Sequence, residues 1–222
     1  MPTNNSRFTH VIFDLDGTIL NTLDDLADSC NWVLEQHGYP THPVEKYKYF
    51  VGNGVPNLLE RAAPAQAQES RLREKMLEEF HAYYAVHKAD KTKPYDGMPQ
   101  VLDQLKMAGI RIAVLTNKPN HAAGPIVEQY YPGVFEIVQG ALPEVPVKPD
   151  PTALFRLMDR IDASAEKTLF VGDSNVDMLT AANGNLTGCG VLWGFRTREE
   201  LENAGANCIA VQPEDLLNII LG

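Results

Sequence analysis

Three short apolar runs in this chain each stop abruptly against polar residues. Phe8 to Phe13 (FTHVIF) ends in Asp14-Leu15-Asp16-Gly17-Thr18, Arg111 to Leu115 ends in Thr116-Asn117, and Thr168 to Val171 ends in Gly172-Asp173. Short runs of β-branched and aromatic residues form buried strands. Helical patterns separate them. Met98, Val101, Leu102, Leu105 and Ala108 share one face, opened by Pro99 and closed by Gly109. Pro151 to Ile161 repeats the device, with Asp150 in position to cap it. Strands alternating with helices imply a parallel sheet covered by helices on both faces. Ligands bind such sheets outside the carboxyl ends of the strands, where these polar residues fall.

The stretch from Thr22 to Lys93 is different, with helical periodicity and no convincing strand. Leu23, Leu26, Ala27, Cys30, Val33, Leu34 and His37 follow the spacing of one helix face, closed by Gly38. Leu72, Met76, Phe80, Tyr83 and His87 form a second stripe, and Gly52-Asn53-Gly54 marks a tight turn between them. The expected architecture is an α/β, Rossmann-like doubly wound parallel sheet with a small all-helical cap inserted after the first strand. Residues 1–21 and 94–222 would form the core domain and residues 22–93 the cap. Phe80, Tyr83 and Tyr84 read as cap core, and His37 and His87 as packing or solvent-boundary residues.

The chain carries 19 Lys and Arg against 29 Asp and Glu, a formal charge of −10. That balance argues against non-specific binding to nucleic acid, which needs a net basic face. No apolar run reaches the length of a membrane span, and the polar segment Met1 to His10 lacks a signal-peptide apolar region. Cys30, Cys189 and Cys208 show neither CxxC spacing nor a histidine cluster, and read as reduced packing residues of a cytoplasmic protein.

Each polar cluster has a chemical and a structural reading. Asp14 and Asp16 lie two apart on an extended segment and share a side, so one carboxylate can attack while the other moves a proton. A strand end running into a turn would look the same. Thr116 and Asn117 offer a hydroxyl and an amide to phosphate oxygens, or simply cap a turn. Lys148 sits in a loop stiffened by Pro143, Pro146, Pro149 and Pro151, which can hold its ammonium in place. In Gly172-Asp173-Ser174-Asn175-Val176-Asp177, two carboxylates four apart can bind a hard cation. Alternatively, Asp173 caps the next helix and Asp177 favours its dipole.

Taken together and in order, these four clusters resemble the haloacid dehalogenase-like hydrolase superfamily, over nearly the whole chain. Pro94-Tyr95-Asp96-Gly97-Met98, Leu115-Thr116-Asn117-Lys118-Pro119, Lys148-Pro149-Asp150-Pro151, Val51-Gly52-Asn53-Gly54-Val55 and Trp193-Gly194-Phe195 resemble its phosphoglycolate phosphatase-like branch. The resemblance implies Asp14 as a nucleophile forming an aspartyl-phosphate, and Asp16 as the acid and then the base. It implies Thr116, the Asn117 backbone and Lys148 as phosphate ligands. It implies Asp14, the Asp16 carbonyl, Asp173 and Asp177 as ligands or water-mediated partners of Mg²⁺. Four carboxylates and one lysine leave the site at −3, which repels a phosphate unless a cation joins it. The chain departs from the family at Asn21, where members often carry Asp. That position faces the cap entry and bears on substrate contacts or hinge behaviour.

The implied activity is Mg²⁺-dependent hydrolysis of a small phosphorylated metabolite, with phosphoglycolate as the family-based substrate. A phosphomutase or phosphotransferase acting on a phosphosugar, a pyrophosphatase, and a non-catalytic binding protein of this fold are the alternatives. Asp16 argues against a dehalogenase, which has no leaving oxygen to protonate. The absence of G-x-G-x-x-G after the first strand argues against a dinucleotide enzyme. Substrate contacts in the cap would come from Gly52, Asn53, Gly54 and Arg61. The segment from Thr22 to Lys93 holds nine basic and eleven acidic residues and the remainder ten and eighteen, so the acidity lies mainly in the core.

Overall fold

The computed structural model describes residues 6–67 and 69–222. Half of the polar segment read above as lacking a leader, residues 1–5, therefore lies outside the described residues. In chain order the elements begin with β1 (His10–Phe13), β2 (Leu20–Asn21), α1 (Leu23–Gln36), α2 (Val44–Phe50), α3 (Val55–Ala62), α4 (Ser70–His87) and β3 (Lys93–Pro94). They continue with α5 (Met98–Met107), β4 (Arg111–Pro119), α6 (Asn120–Tyr130), β5 (Ile137–Ala141), α7 (Thr152–Arg160) and β6 (Thr168–Gly172). The last are α8 (Asn175–Asn183), β7 (Thr187–Val191), α9 (Arg198–Asn203), β8 (Cys208–Ala210) and α10 (Asp215–Leu221). The chain divides into two compact units, Met1–Leu20 with Pro94–Gly222, and Asn21–Lys93.

In the first unit six strands form a parallel sheet in the order β5-β4-β1-β6-β7-β8. The chain winds outward from β1 through β4 to β5, returns beside β1 as β6, and winds the other way through β7 to β8. The expected doubly wound α/β fold is therefore present, and β1 is the point where its winding reverses. Such a reversal leaves a crevice at the carboxyl end of the central strands.

Alternation along the strands explains why they read as unbroken apolar runs. Val11 and Phe13 of β1, Ile112 and Val114 of β4, and Leu169 and Val171 of β6 join one core cluster, with α5, α6 and α10. Ile12, Ala113, Leu115 and Phe170 join the cluster on the opposite face, with Leu154, Leu157 and Ala181 of α7 and α8. A strand covered on both faces has no solvent side on which to place polar residues. Each fully buried Val, Ile or Phe contributes about 1.5–3 kcal/mol relative to exposure. Cys189 and Cys208 are register partners in β7 and β8, and both are free thiols, as is Cys30. Among the described residues, no helix is long and apolar enough to cross a membrane.

The second unit is built from α1 to α4, and β2 and β3 form a separate two-stranded sheet. Leu26, Cys30, Val33 and Leu34 of α1, Leu58 and Leu59 of α3, and Met76, Phe80 and Tyr84 of α4 are buried. Tyr83, expected in this core, is instead half-buried, its ring 4.5 Å from Trp32 and 4.1 Å from His87 in a stack. Asn21 Oδ1 accepts a 3.4 Å hydrogen bond from the Leu23 backbone N–H at the start of α1. An aspartate can accept the same bond, so the departure from the family alters charge and not the local turn.

Asp25 is a buried carboxylate that ties the end of the unit to α1. Its oxygens accept from the backbone N–H of Lys91 at 3.0 and 3.2 Å and of Thr92 at 2.8 Å. Hydrogen bonds to a charged acceptor contribute more than neutral ones, and an orphaned buried N–H adds its own cost. Asp25→Ala is expected to destabilise the protein by about 1.5–3 kcal/mol. Amide hydrogen exchange at Lys91 and Thr92 would accelerate first; unchanged protection there would contradict this role.

Candidate active site

The polar residues that end β1, β4 and β6 meet at the reversal point of the sheet. Asp14 directly follows β1, and its N–H continues the ladder by donating to the Val171 carbonyl at 2.8 Å. The backbone then turns at Gly17, where φ is +87°, a conformation side-chain-bearing residues rarely adopt. A Cβ on Gly17 would also collide with the Asp173 carboxylate. Glycine here thus serves both the turn and the approach of an acid to it.

Asp14, Asp173 and Asp177 are all buried, and each offers an oxygen within 4.8 Å of the others. Asp173 Oδ2 accepts from the Phe195 N–H at 2.7 Å, and its Oδ1 from Thr18 Oγ1 at 3.4 Å. The helix cap expected from Asp173 is made by its neighbour. Ser174 is the N-cap of α8, and it forms a capping box with Asp177, whose Oδ2 accepts from the Ser174 N–H at 3.0 Å and Oγ at 2.6 Å. Asp177 thus serves helix and site together.

Lys148 stands among these acids, its side chain 2% exposed, with Nζ 2.7 Å from Asp177 Oδ1 and 2.9 Å from Asp14 Oδ1. The contact to Asp177 is an aligned hydrogen bond, whereas that to Asp14 is an ion pair without hydrogen-bond alignment. Asp14 Oδ1 consequently has no hydrogen-bond partner. Burial, then the neighbouring Asp177 charge, push the Asp14 carboxyl up to about 7 against the pull of Lys148. Burial together with Asp177 and Asp14 also raises Asp173 well above the usual carboxylate range. Burial disfavours the Lys148 ammonium, but Asp14 and Asp177 outweigh it and hold its pKa above the ordinary lysine value.

The loop bearing Lys148 is fixed by Asn117. The Asn117 side chain accepts from the Lys148 N–H at 2.8 Å and donates to the Lys148 carbonyl at 3.0 Å. The side-chain amide read as a phosphate donor is thus committed to positioning the lysine. Thr116 is 4% exposed, and its Oγ1 accepts from the Lys118 N–H at 3.2 Å. Asp150 Oδ1 accepts from the Thr152 N–H at 2.9 Å, so it supports the start of α7 although Pro151 is the capping residue.

The Asp16 carboxylate does not join the acidic cluster; Lys118 Nζ holds both of its oxygens, at 2.9 and 3.2 Å. Only the carbonyl of Asp16 remains in question as a metal ligand, as the sequence reading had it. Arg61, read as a cation for substrate, is engaged within the second unit. Its guanidinium donates to Asn53 Oδ1 at 2.7 Å and to the carbonyls of Phe50 at 3.0 Å and Tyr49 at 3.3 Å. It braces the Gly52-Asn53-Gly54 turn, in which Gly52 and Gly54 take positive φ.

The sequence reading missed Lys118, which lies two residues beyond Thr116 and is 5% exposed. Counting it, four carboxylates and two ammonium groups give a formal charge of −2 when every acid is ionised. A hard divalent cation neutralises that charge, and the donor set suits one: carboxylate oxygens, one of them buried without a hydrogen-bond partner. Opposite oxygens around such an ion of Mg²⁺ size lie about 4.2 Å apart, close to the spread found here.

The haloacid dehalogenase-like hydrolase family model matches residues 11–191, which include all of these groups. The chain belongs to that family. Relatives within the family extend the likeness to full length. A phosphoglycolate phosphatase from Mannheimia succiniciproducens is 32% identical, covering 97% of this chain and 100% of its own. One from Vibrio parahaemolyticus is 32% identical with 95% of each chain covered. The crystal structure of a candidate phosphoglycolate phosphatase from Lactobacillus delbrueckii superposes with a TM-score of 0.92 at 32% identity, over 97% of this chain and 99% of that one.

Proposed function

We propose that this phosphatase hydrolyses small phosphomonoesters through an aspartyl-phosphate on Asp14, with 2-phosphoglycolate as the preferred substrate. The observation that carries the chemistry is Asp14 Oδ1. It is a buried carboxylate oxygen at the reversal point of the sheet, without a hydrogen-bond partner and 2.9 Å from a fixed ammonium. Full-length relatives named phosphoglycolate phosphatase support the substrate.

In this reading an Asp14 oxygen attacks phosphorus as the bond to the leaving oxygen breaks, and Asp16 gives that oxygen its proton. The leaving group departs as an alcohol. Asp16, now a carboxylate, takes a proton from water, whose oxygen attacks the aspartyl-phosphate and returns Asp14 with inorganic phosphate. Thr116, the Asn117 backbone and Lys148 hold the phosphoryl oxygens, and the Asn117 clamp keeps the ammonium in register with them. Asp14, the Asp16 carbonyl, Asp173 and Asp177 would hold Mg²⁺, Asp177 directly or through water, and the ion would offset charge building on the phosphoryl group.

Residues 22–93 are read as the cap domain and residues 1–21 with 94–222 as the core. The Gly52-Asn53-Gly54 turn is the proposed substrate-contacting segment of the cap, with Arg61 acting through the turn's shape. The protein is read as cytoplasmic, with its three thiols reduced.

The test is phosphate release from a panel of phosphorylated metabolites with Mg²⁺, ranked by kcat/KM. On the strength of the full-length relatives named phosphoglycolate phosphatase, we expect 2-phosphoglycolate to exceed phosphosugars, nucleotides and pyrophosphate by at least about tenfold. Isomerised phosphosugar without phosphate release would instead identify a mutase.

A further inference from the structure

The proposed acid-base carboxylate has an anchor in Lys118, a residue that the Leu115-Thr116-Asn117-Lys118-Pro119 motif contains without a role. Asp16 lies beyond the end of β1, at an isolated bridge to Leu20. Its side chain is 13% exposed. Lys118 comes from another strand, 102 residues away, and its Nζ meets both Asp16 oxygens at 2.9 and 3.2 Å. The lysine side chain is 3% exposed, and its backbone N–H is bonded to Thr116 Oγ1.

We propose that Lys118 is a positioning residue that fixes the Asp16 carboxylate in the orientation from which it exchanges protons with the leaving group and with water. A buried ion pair adds little net stability over an apolar pair of the same size. Its geometry, however, is restrictive: an ammonium shared between both oxygens fixes rotation about the carboxylate axis. Proton transfer requires heavy atoms within about 2.6–3.2 Å, so a carboxylate that swings loses most of its effect. The same β4 segment supplies Thr116 and Asn117, which links the orientation of Asp16 to the groups proposed to hold the phosphoryl oxygens.

The inference rests on the acid-base reading of Asp16, and the experiment separates the two. kcat/KM, which reports steps up to departure of the leaving group, is measured for 2-phosphoglycolate and for p-nitrophenyl phosphate. The first leaving group needs a proton and the second does not. Lys118→Met is expected to lower kcat/KM for 2-phosphoglycolate by about 10²–10³-fold, and for p-nitrophenyl phosphate by less than about tenfold. Lys118→Arg should recover part of the loss. A crystal structure of Lys118→Met should show the Asp16 carboxylate turned away, with Asp14 and Lys148 in place.

Asp16→Asn is run alongside. If it shows no dependence on the leaving group, the acid-base reading falls and the Lys118 proposal with it. If Asp16→Asn shows that dependence and Lys118→Met does not, Lys118 alone is misassigned. A rise in KM confined to 2-phosphoglycolate with kcat unchanged would make Lys118 a substrate ligand instead. An unmoved Asp16 in the variant structure would overturn positioning outright.

Discussion

Replacing Asp14 by asparagine is expected to cut kcat/KM at least about 10⁴-fold while leaving the protein folded. Asparagine matches aspartate in shape, but its amide is not a nucleophile. The fold loses little by the exchange. Burial and Asp177 already disfavour the ionised Asp14 carboxylate, whose pKa stands at about 7, and a neutral amide escapes that penalty. Lys148 keeps its 2.7 Å bond to Asp177. In metal-free buffer the melting temperature of the variant should therefore equal or exceed that of the parent. Thermal melts and phosphate release measured on the same preparation check both halves. Near-normal hydrolysis by the variant would remove Asp14 from the mechanism.

Removing divalent cations should abolish turnover, and adding Mg²⁺ should restore it. The electrostatics add a pH signature. Asp14 and Asp173 have raised pKa values in the folded protein, Asp14 at about 7 against its ordinary 3.8. The protonated form of Asp14 stabilises the fold fully below the ordinary value, and that contribution is lost as pH rises through about 7; Asp173, raised by the same burial and neighbouring acids, acts in the same direction. In chelator the melting temperature should accordingly fall between pH 6 and pH 8. A cation binds the ionised form, so Mg²⁺ should raise the melting temperature more at pH 8 than at pH 6. At a hundredfold excess over its dissociation constant a ligand contributes about 2.7 kcal/mol. For a chain of this size that corresponds to about 5–10 °C. Full activity in chelator, or a melting temperature indifferent to Mg²⁺ at pH 8, would defeat the metal assignment.

The three central strands were legible because both of their faces are buried, which leaves the apolar run unbroken. The outer strands were not. β7 (TGCGV) carries two glycines, and its room is taken by neighbours: Met178 and Ala181 crowd Gly188, while Leu201 and Ile209 crowd Gly190. β8 has three residues, and β5 is half-buried with no clean alternation. β4 runs on through Thr116 and Asn117 to Pro119, past the expected end of the strand.

In the site, Asp14, Asp16 and Asp173 could be picked out because they follow strand ends, Asp177 because it opens the next helix, and Lys148 because prolines stiffen its loop, all in a fixed order. Lys118 could not, because what distinguishes it is a pairing across 102 residues. The local hints were its place in the Leu115-Thr116-Asn117-Lys118-Pro119 motif and its spacing, since residues two apart on a strand share a side and Thr116 already faced the site. Arg61 shows the converse, with its guanidinium bonded to Asn53 and to the Phe50 and Tyr49 carbonyls. A sequence shows a positive charge, but not that the acceptors of a nearby turn already occupy it.

Asn117 has a consequence for what the chain can change. By bonding both the N–H and the carbonyl of Lys148, its side chain imitates a neighbouring strand and gives an isolated loop the register of a sheet. The Lys148 backbone is then set against β4 by one amide, while Asp177 and Asp14 hold its ammonium. The thirty residues that separate Asn117 from Lys148 along the chain do not have to fix it. Helix α6 and strand β5 can thus lengthen, shorten or drift in sequence without retuning the phosphate site. A substitution of this one side chain would turn the same intervening stretch into a source of error.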